Sequence, residues 1–272
     1  MSYLRRILIF GLLTLLTQVG GIVYLAYLPL SRIVSRRVSV RWQRWAAKSV
    51  VLLVCIAVAS LLIVPPLARA FGRMPLPLQA TEAVPLQPAN LGYVLFNRHY
   101  VTPELYDLIT TVATKVGEQE PGTVLTYLDA SFPFYDGYPL LPHRSHDDGE
   151  KVDLCFLYTD ATGDRLNGSP NLLGYGQTDG PTGGEHNQPA ACTAQGYWQY
   201  DAISRIMPQN DRFRLDEAAT RHLIQLLLAD WRTGKIFLEP HLKQRLRLQG
   251  AGRVRFHGCK AVRHDDHIHV QL

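Results

Sequence analysis

The first 81 residues of this 272-residue chain contain no aspartate or glutamate, and the first acidic residue is Glu82. Ten of the 28 lysines and arginines lie within residues 1–75, whereas the remaining 197 residues carry 18 basic and 23 acidic residues. The basic pI of about 9.0 therefore comes from the N-terminal quarter alone. This distribution argues against a nucleic-acid-binding surface over the whole protein, and we expect no nucleic acid partner.

The sequence also has no internal repeat, no glycine-rich phosphate-binding loop and no nucleophile elbow. These absences argue against a repeat protein, a P-loop nucleotide hydrolase and an α/β-hydrolase. At 47% hydrophobic and 19% charged residues, the chain is too apolar to be disordered.

Two long apolar runs lie within the basic quarter. Residues 7–30 and residues 49–68 are 24 and 20 residues long and carry no formal charge. Because a helix rises about 1.5 Å per residue, each run is long enough to cross a hydrocarbon core of about 30 Å. We therefore predict an anchor of residues 1–73 with two transmembrane helices. A cleaved signal peptide is the alternative for the first run, although that run is longer than a usual signal-peptide core.

The segment between the two runs, residues 31–48, carries six positive charges. Since positive charge stays on the cytoplasmic side, we expect this segment inside the cell and both chain ends outside. The predicted location is the cytoplasmic (inner) membrane, with the C-terminal part on the periplasmic or extracellular side. A basic helix on the membrane surface is the alternative reading of the segment, and it leaves the location of the C-terminal part unchanged.

The rest of the chain is predicted to be an α+β domain, residues 93–272, behind a proline-rich linker, residues 74–92. Helical and strand patterns interleave without regular repetition, which favours a small, mostly antiparallel sheet with flanking helices. Residues 159–197 hold eight glycines and three prolines, and we interpret them as a functional lid. Helices are expected near residues 103–117 and 215–231, and strands near residues 123–128, 151–158, 236–238, 254–256 and 267–272.

Three cysteines lie in this C-terminal part and would face an oxidising compartment. They cannot all pair with one another. We favour a bond between Cys192 and Cys259, which would tie the long loop to the segment before the last histidines. Cys155 is the third, and sequence alone does not establish the connectivity.

Five of the ten histidines fall into two short segments. A His-x-His pair on a strand places both imidazoles on one face, because side chains alternate along a strand. Two neutral imidazoles and one carboxylate are a common catalytic zinc set that leaves a position for water. Each segment alone is weak evidence, since histidines in such pairs are more often exposed or hydrogen-bonded. The segments are His143-x-x-His146 followed by Asp153, and His264-x-x-His267-x-His269.

Taken together, these residues resemble the motif of the penicillin-insensitive murein endopeptidases. Those enzymes belong to a wider group of metallopeptidases that includes lysostaphin, the D-Ala-D-Ala peptidases and the hedgehog signalling domain. The resemblance covers roughly residues 138–154 and residues 235–272. The two predicted membrane helices depart from those endopeptidases, which are usually soluble periplasmic proteins. The resemblance therefore bears on the fold and the metal centre more than on the bond that is cleaved.

The resemblance implies a zinc ion with His146, Asp153 and His269 as its ligands. It also implies that His264 and His267 are catalytic or stabilise the transition state, with His143 beside the ligands. Either member of the final His-x-His pair can reach a metal on their shared face. We prefer His269 as the ligand because the family's pattern places the ligand last. Asp265 or Asp266 could orient one of these imidazoles.

The function implied is that of a membrane-anchored zinc metallopeptidase that hydrolyses peptide bonds in peptidoglycan cross-links or stem peptides. A D,D- or L,D-carboxypeptidase of the same group is one alternative. A non-catalytic, metal-containing domain that binds cell-wall peptide is another. The sequence leaves the bond and the oligomeric state open.

Overall fold

The computed structural model describes residues 3–272, which form two compact units that interleave along the chain. We refer to them as the anchor unit and the sheet unit. The anchor unit comprises Met1–Leu76, Leu91–Pro103 and Asp129–Gly149, and the sheet unit comprises Pro77–Asn90, Glu104–Leu128 and Glu150–Leu272.

The helices are α1 (Tyr3–Thr17), α2 (Gly20–Arg37), α3 (Arg41–Val58), α4 (Val64–Ala70), α5 (Leu91–Leu95), α6 (Pro103–Gln119), α7 (Gln188–Ala194), α8 (Ala202–Ile206), α9 (Glu217–Ala229) and α10 (Pro240–Arg245). A π-helical turn, Ala59–Ile63, joins α3 to α4, and a 3₁₀ turn, Trp198–Asp201, precedes α8. The strands are β1 (Met74–Pro75), β2 (Leu86–Pro88), β3 (Tyr100–Val101), β4 (Leu125–Tyr127), β5 (Lys151–Cys155), β6 (Tyr158–Thr159), β7 (Arg165–Leu166), β8 (Arg214–Leu215), β9 (Lys235–Phe237), β10 (Val254–Arg255) and β11 (His267–Gln271).

The first apolar run is not one helix but a hairpin of α1 and α2. The chain reverses at Gln18, whose φ of 64° lies in the left-handed region that residues other than glycine rarely adopt. Gly20 and Gly21 allow the two helices to touch, because a Cβ atom on Gly21 would lie 2.1 Å from the Thr14 hydroxyl oxygen. With 15 residues, α1 is about 22 Å long and too short to cross a hydrocarbon core.

The expectation of two transmembrane helices is therefore wrong. Within residues 3–272, one helix is long and apolar enough to cross a membrane: the continuous helix Arg41–Ala70, which is made of α3, the π-helical turn and α4. The prediction failed because hydropathy over residues 7–30 reports composition, whereas a single residue in the left-handed conformation reverses the chain.

The turn of the hairpin is bound to later parts of the anchor unit. The Gln18 side chain accepts a hydrogen bond from the backbone amide of Phe134, at 3.0 Å. The Tyr138 hydroxyl donates to the Thr14 carbonyl oxygen at 2.8 Å. Val19 packs with Phe134 against a buried cluster formed by Val64, Ala68 and Tyr100. The hairpin thus belongs to the same packed structure as the segment that carries His143 and His146.

A six-stranded sheet forms the centre of the sheet unit, in the order β10-β9-β11-β5-β4-β2. Strand β11 pairs antiparallel with both β5 and β9, and β4 pairs antiparallel with β5, whereas the two edge pairs are parallel. A separate three-stranded antiparallel sheet has the order β7-β6-β8. The predicted α+β class with a small, mostly antiparallel sheet is confirmed, and helices α6 and α9 fall close to their predicted positions.

The proline-rich stretch of residues 74–92, expected to be an extended linker, contributes to both units. Strand β1 pairs with β3 in the anchor unit. Strand β2 pairs in parallel with β4 at the edge of the main sheet, and Leu86 is fully buried. The four prolines of this stretch are compatible with strands β1 and β2, because proline is tolerated at the edges of sheets.

The stretch of residues 159–197 was expected to be one long loop, but it contains strand β7 and helix α7 and is bound to its surroundings. The Arg245 guanidinium of α10 binds both carboxylate oxygens of Glu185, the Asp179 carboxylate and the Gly180 carbonyl oxygen. A disulfide bond joins Cys192 to Cys259, which confirms the pairing that we favoured, and leaves Cys155 as a buried thiol. These contacts fix one side of the loop onto α10 and onto the segment before β11.

The close approach of α1 and α2 yields a first prediction. Gly21→Ala should destabilise the anchor unit by about 1–3 kcal/mol, because the added methyl group would overlap the Thr14 hydroxyl and the Phe10 ring. Gly11→Ala is the matched control, since no atom lies within 4 Å of a Cβ atom there. Thermal unfolding of the full-length protein in detergent measures both. Equal stability of the two variants would contradict the hairpin.

Candidate metal centre

The pairing of β5 with β11 brings together residues that are more than 100 positions apart. Asp153 lies directly opposite His269, and Cys155 lies opposite His267. Because residues two apart share a face of a strand, all four side chains project from the same face of the sheet. The His269 Nδ1 atom lies 2.9 Å from the Asp153 Oδ1 atom, and both residues are almost fully buried.

A contact with the backbone fixes the orientation of His146. Its Nδ1 atom lies 3.0 Å from the Ala130 carbonyl oxygen, to which it donates a hydrogen bond. The ring is buried, with 1% of its surface exposed. An imidazole that donates from one nitrogen to a carbonyl oxygen is typical of metal-binding histidines.

His143 lies next to His146, and a buried carboxylate holds it in place. Its Nδ1 atom lies 2.8 Å from one oxygen of Asp129, and Arg98 donates to both oxygens of the same carboxylate. The arginine and His143 keep the pKa of Asp129 below its usual value, although burial by itself would raise it. The ring centroids of His143 and His146 are 5.7 Å apart, so this network supports the loop that carries His146.

The three residues predicted as ligands form a group that could hold a metal ion. His146, Asp153 and His269 are all buried, and each offers a ligand atom within 4.8 Å of the other two. In a tetrahedral zinc site with bonds of about 2.0–2.2 Å, ligand atoms are roughly 3.3–3.6 Å apart, which is compatible with separations of no more than 4.8 Å in this group. Two imidazoles and a carboxylate thus fit a divalent cation by donor type, burial and spacing.

The Asp153 carboxylate has a second partner that sequence reasoning missed. The Tyr175 hydroxyl donates to Asp153 Oδ2 at 2.7 Å, and the Tyr175 ring packs edge-on against His267. Glycines on both sides, Gly174 and Gly176, have positive φ angles of 78° and 85°. The Gly-Tyr-Gly sequence within the long loop was the available signal, because two such glycines shape a turn that presents the residue between them.

Asp266 orients the neighbouring imidazole. Its Oδ1 atom lies 2.5 Å from Nδ1 of His267, and its Oδ2 atom accepts a hydrogen bond from the Gly176 amide at 2.6 Å. His267 Nδ1 is therefore engaged, and its Nε2 atom lies 3.7 Å from Asp153 Oδ1. Burial lowers the pKa of His267, but the carboxylates of Asp153 and Asp266 outweigh it and raise that pKa to about 9.

The pKa of His264 is lowered, in contrast to that of His267. Burial, together with the nearby His267 and His269 rings, lowers its pKa well below the usual value, so the ring is neutral. Its backbone amide donates to the carboxylate of Glu239, at 3.2 Å. Among residues 3–272, the Nδ1 atom of His264 has no hydrogen-bond partner. A buried nitrogen of this kind is expected to meet a ligand or water.

Glu239 itself is fully buried behind this segment. Burial raises its pKa to about 7, although the nearby Tyr200 hydroxyl opposes the shift. Next to it, Arg263 binds both oxygens of the Asp265 carboxylate, and Arg263 also binds Asp201. These contacts fix the backbone that carries His264. Sequence reasoning assigned no role to Glu239, which lies between strand β9 and helix α10.

The structure thus groups the three expected ligands and places His264 and His267 on β11 or just before it. The ring centroid of His264 lies 4.9 Å from that of His267 and 5.7 Å from that of His269. Cys155 shares the face of β5 with Asp153, but burial raises the pKa of its thiol far above neutrality. A neutral thiol is a poor ligand, so Cys155 is a packing residue here.

No protein-family model and no curated protein matches this sequence.

The geometry predicts metal binding that depends on each of the three ligands. His146→Ala and Asp153→Ala should each reduce bound metal from about one ion per chain to well below one, since a site with two ligands binds weakly. His222→Ala is the control, because His222 lies on α9 and its ring contacts Gln119 instead. Elemental analysis after dialysis against zinc measures the stoichiometry. Full metal content in His146→Ala would contradict the ligand set.

Proposed function

We propose that this protein is a membrane-anchored, zinc-dependent peptidase that hydrolyses peptide bonds in peptidoglycan cross-links or stem peptides. The observation that carries the proposal is the buried group of His146, Asp153 and His269. The resemblance of the histidine segments to murein endopeptidases supports the substrate class. Zinc is the metal that best suits two imidazoles and one carboxylate.

Bound in this group, a zinc ion would supply a Lewis acid that polarises the scissile carbonyl and makes water acidic. The protein's own residues would do the rest. His264 offers a neutral imidazole whose Nδ1 can accept a proton or a hydrogen bond. His267 is held by Asp266, so its ring can donate to the oxygen that gains negative charge. Tyr175 fixes the Asp153 carboxylate from the opposite side.

Separate measurement of metal content and cleavage tests this division of roles. We expect His267→Ala to keep near-normal zinc but to lose about 10²–10⁴-fold in turnover, because it removes a catalytic partner and no ligand. His146→Ala should lose zinc and turnover together, and His222→Ala should lose neither. The substrate is purified sacculi, and mass spectrometry identifies the released muropeptides.

Three outcomes would contradict parts of the proposal. Zinc loss in His267→Ala with retention in His269→Ala would exchange the two roles and leave the peptidase proposal intact. A wild-type protein that holds zinc and binds muropeptide, yet releases no product, would instead be a non-catalytic binding domain. Products that lack only a terminal residue would indicate a carboxypeptidase of the same group.

For the membrane arrangement, we propose that the helix Arg41–Ala70 crosses the cytoplasmic membrane once. The basic residues 31–48 precede its apolar part, so the N-terminal end of this helix lies in the cytoplasm and residues after 70 lie outside. Arg5 and Arg6 line the same cavity as Arg44 and Lys48 at that basic end. The N-terminus therefore lies in the cytoplasm as well, unlike in the two-helix arrangement that the sequence suggested.

Reporter fusions distinguish the two arrangements. Alkaline phosphatase fused after Leu272 should be active, and a fluorescent protein fused before Met1 should fluoresce, because the first requires export and the second requires the cytoplasm. Two crossings would place both ends outside and abolish the N-terminal fluorescence. An inactive phosphatase fusion would show that the orientation of the spanning helix is reversed.

A further inference from the structure

A cavity of about 470 Å³ lies at the basic end of the anchor unit. Helices α1, α2 and α3 all contribute to its lining, and five of the lining residues are cationic: Arg5, Arg6, Arg32, Arg44 and Lys48. The sequence has no acidic residue before Glu82, so no carboxylate of these helices offsets their charge. Like charges gathered around one cavity repel each other, and an anion bound between them would relieve that repulsion.

The cavity is also lined by a tyrosine whose hydroxyl has no hydrogen-bond partner among the described residues. Tyr24 lines it and is only 3% exposed, and its hydroxyl has no hydrogen-bond partner among the described residues 3–272. The Nε atom of Arg6, another lining residue, likewise has no hydrogen-bond partner among these residues. A buried hydroxyl or guanidinium nitrogen without a partner is destabilising, so both atoms are suited to oxygen atoms of a ligand.

The remaining lining is amphipathic. Ile9, Leu28 and Leu52 provide apolar walls beside the cations. Trp45 also lines the cavity, with the Arg5 guanidinium 5.5 Å from its ring centroid, and is half exposed. Tryptophan and arginine side chains of this kind are typical of the boundary between headgroups and acyl chains. The occupant should therefore combine a negatively charged head with hydrocarbon.

We propose that this cavity binds the phosphate headgroup of an anionic phospholipid from the cytoplasmic leaflet. Phosphate oxygens would meet Arg32, Lys48 and the Tyr24 hydroxyl, and an acyl chain would lie along Leu28 and Leu52. Basic pockets between membrane helices on this side are suited to such headgroups. The proposal needs the anchor unit to lie in a membrane, but it is independent of the metal centre and of peptidase activity.

The test compares two pairs of substitutions that remove equal charge. Arg32→Gln/Lys48→Gln changes two residues that line the cavity. Arg36→Gln/Arg37→Gln is the matched control, because both arginines are exposed on α2 and neither lines the cavity. Arg44 is left intact, since its guanidinium also binds the carbonyl oxygens of Val38 and Ser39 and so has a structural role.

Native mass spectrometry of the full-length protein in detergent would measure lipid binding. Phosphatidylglycerol, phosphatidylcholine and inorganic phosphate are the probes. We expect wild-type protein to bind phosphatidylglycerol at least about tenfold more tightly than phosphatidylcholine, with inorganic phosphate competing only weakly. The cavity pair should lose about tenfold or more in affinity for phosphatidylglycerol, and Tyr24→Phe should lose severalfold. The surface pair should remain within about twofold of wild type.

Each other outcome overturns the proposal. Equal losses in the two pairs would show that binding is general attraction to negative charge. Equal affinity for both lipids would exclude selection by headgroup charge, and full displacement by inorganic phosphate would make the site one for a free anion. The exchange Arg32→Lys/Lys48→Arg controls for folding, because it keeps both charges and should keep the affinity.

Discussion

The pairing of β5 with β11 is the constraint on which the candidate site depends. It places Asp153 opposite His269 although the two residues are 116 positions apart in the chain. Side chains alternate along each strand, so a slip of β11 by one residue would bring Ile268 to the face now held by His269. Ile268 is fully buried in the observed register, which makes the slipped register costly.

The same sheet face concentrates ionisable groups where water is scarce. Asp153, His264, His267 and His269 are each at most 3% exposed. Burial of such groups is unfavourable unless each one is paired or hydrogen-bonded. Asp266 and Tyr175 provide this for His267 and Asp153, and both partners come from the segments next to the site. The retention of so many buried polar side chains is expected at a functional site rather than in a core that serves stability alone.

The three candidate ligands could be named from the sequence because the two histidine segments and Asp153 together resemble a family motif, and strand spacing supported part of that set. His267 and His269 are two apart on a strand, and Asp153 is on a strand with a clear apolar pattern. Tyr175 and Glu239 were missed because their roles arise from contacts with distant segments. The Tyr175 hydroxyl meets a residue 22 positions away in a different element, and no local periodicity encodes that contact.

The N-terminal helices show the same limit of sequence reasoning. Apolar length correctly indicates the helix Arg41–Ala70. The hairpin before it depends on the conformation of Gln18 and on close packing at Gly21, and neither affects a hydropathy average. Strand β2 was likewise hidden, since three residues form a strand only because β4 lies beside them.

We expect one zinc ion to bind His146, Asp153 and His269 together. Anomalous diffraction at the zinc edge from crystals of the full-length protein tests it most directly. We expect one strong peak about 2.0–2.2 Å from a ligand atom of each of the three residues. A peak that excludes any of the three, or the absence of a peak from crystals grown with zinc, would contradict the account.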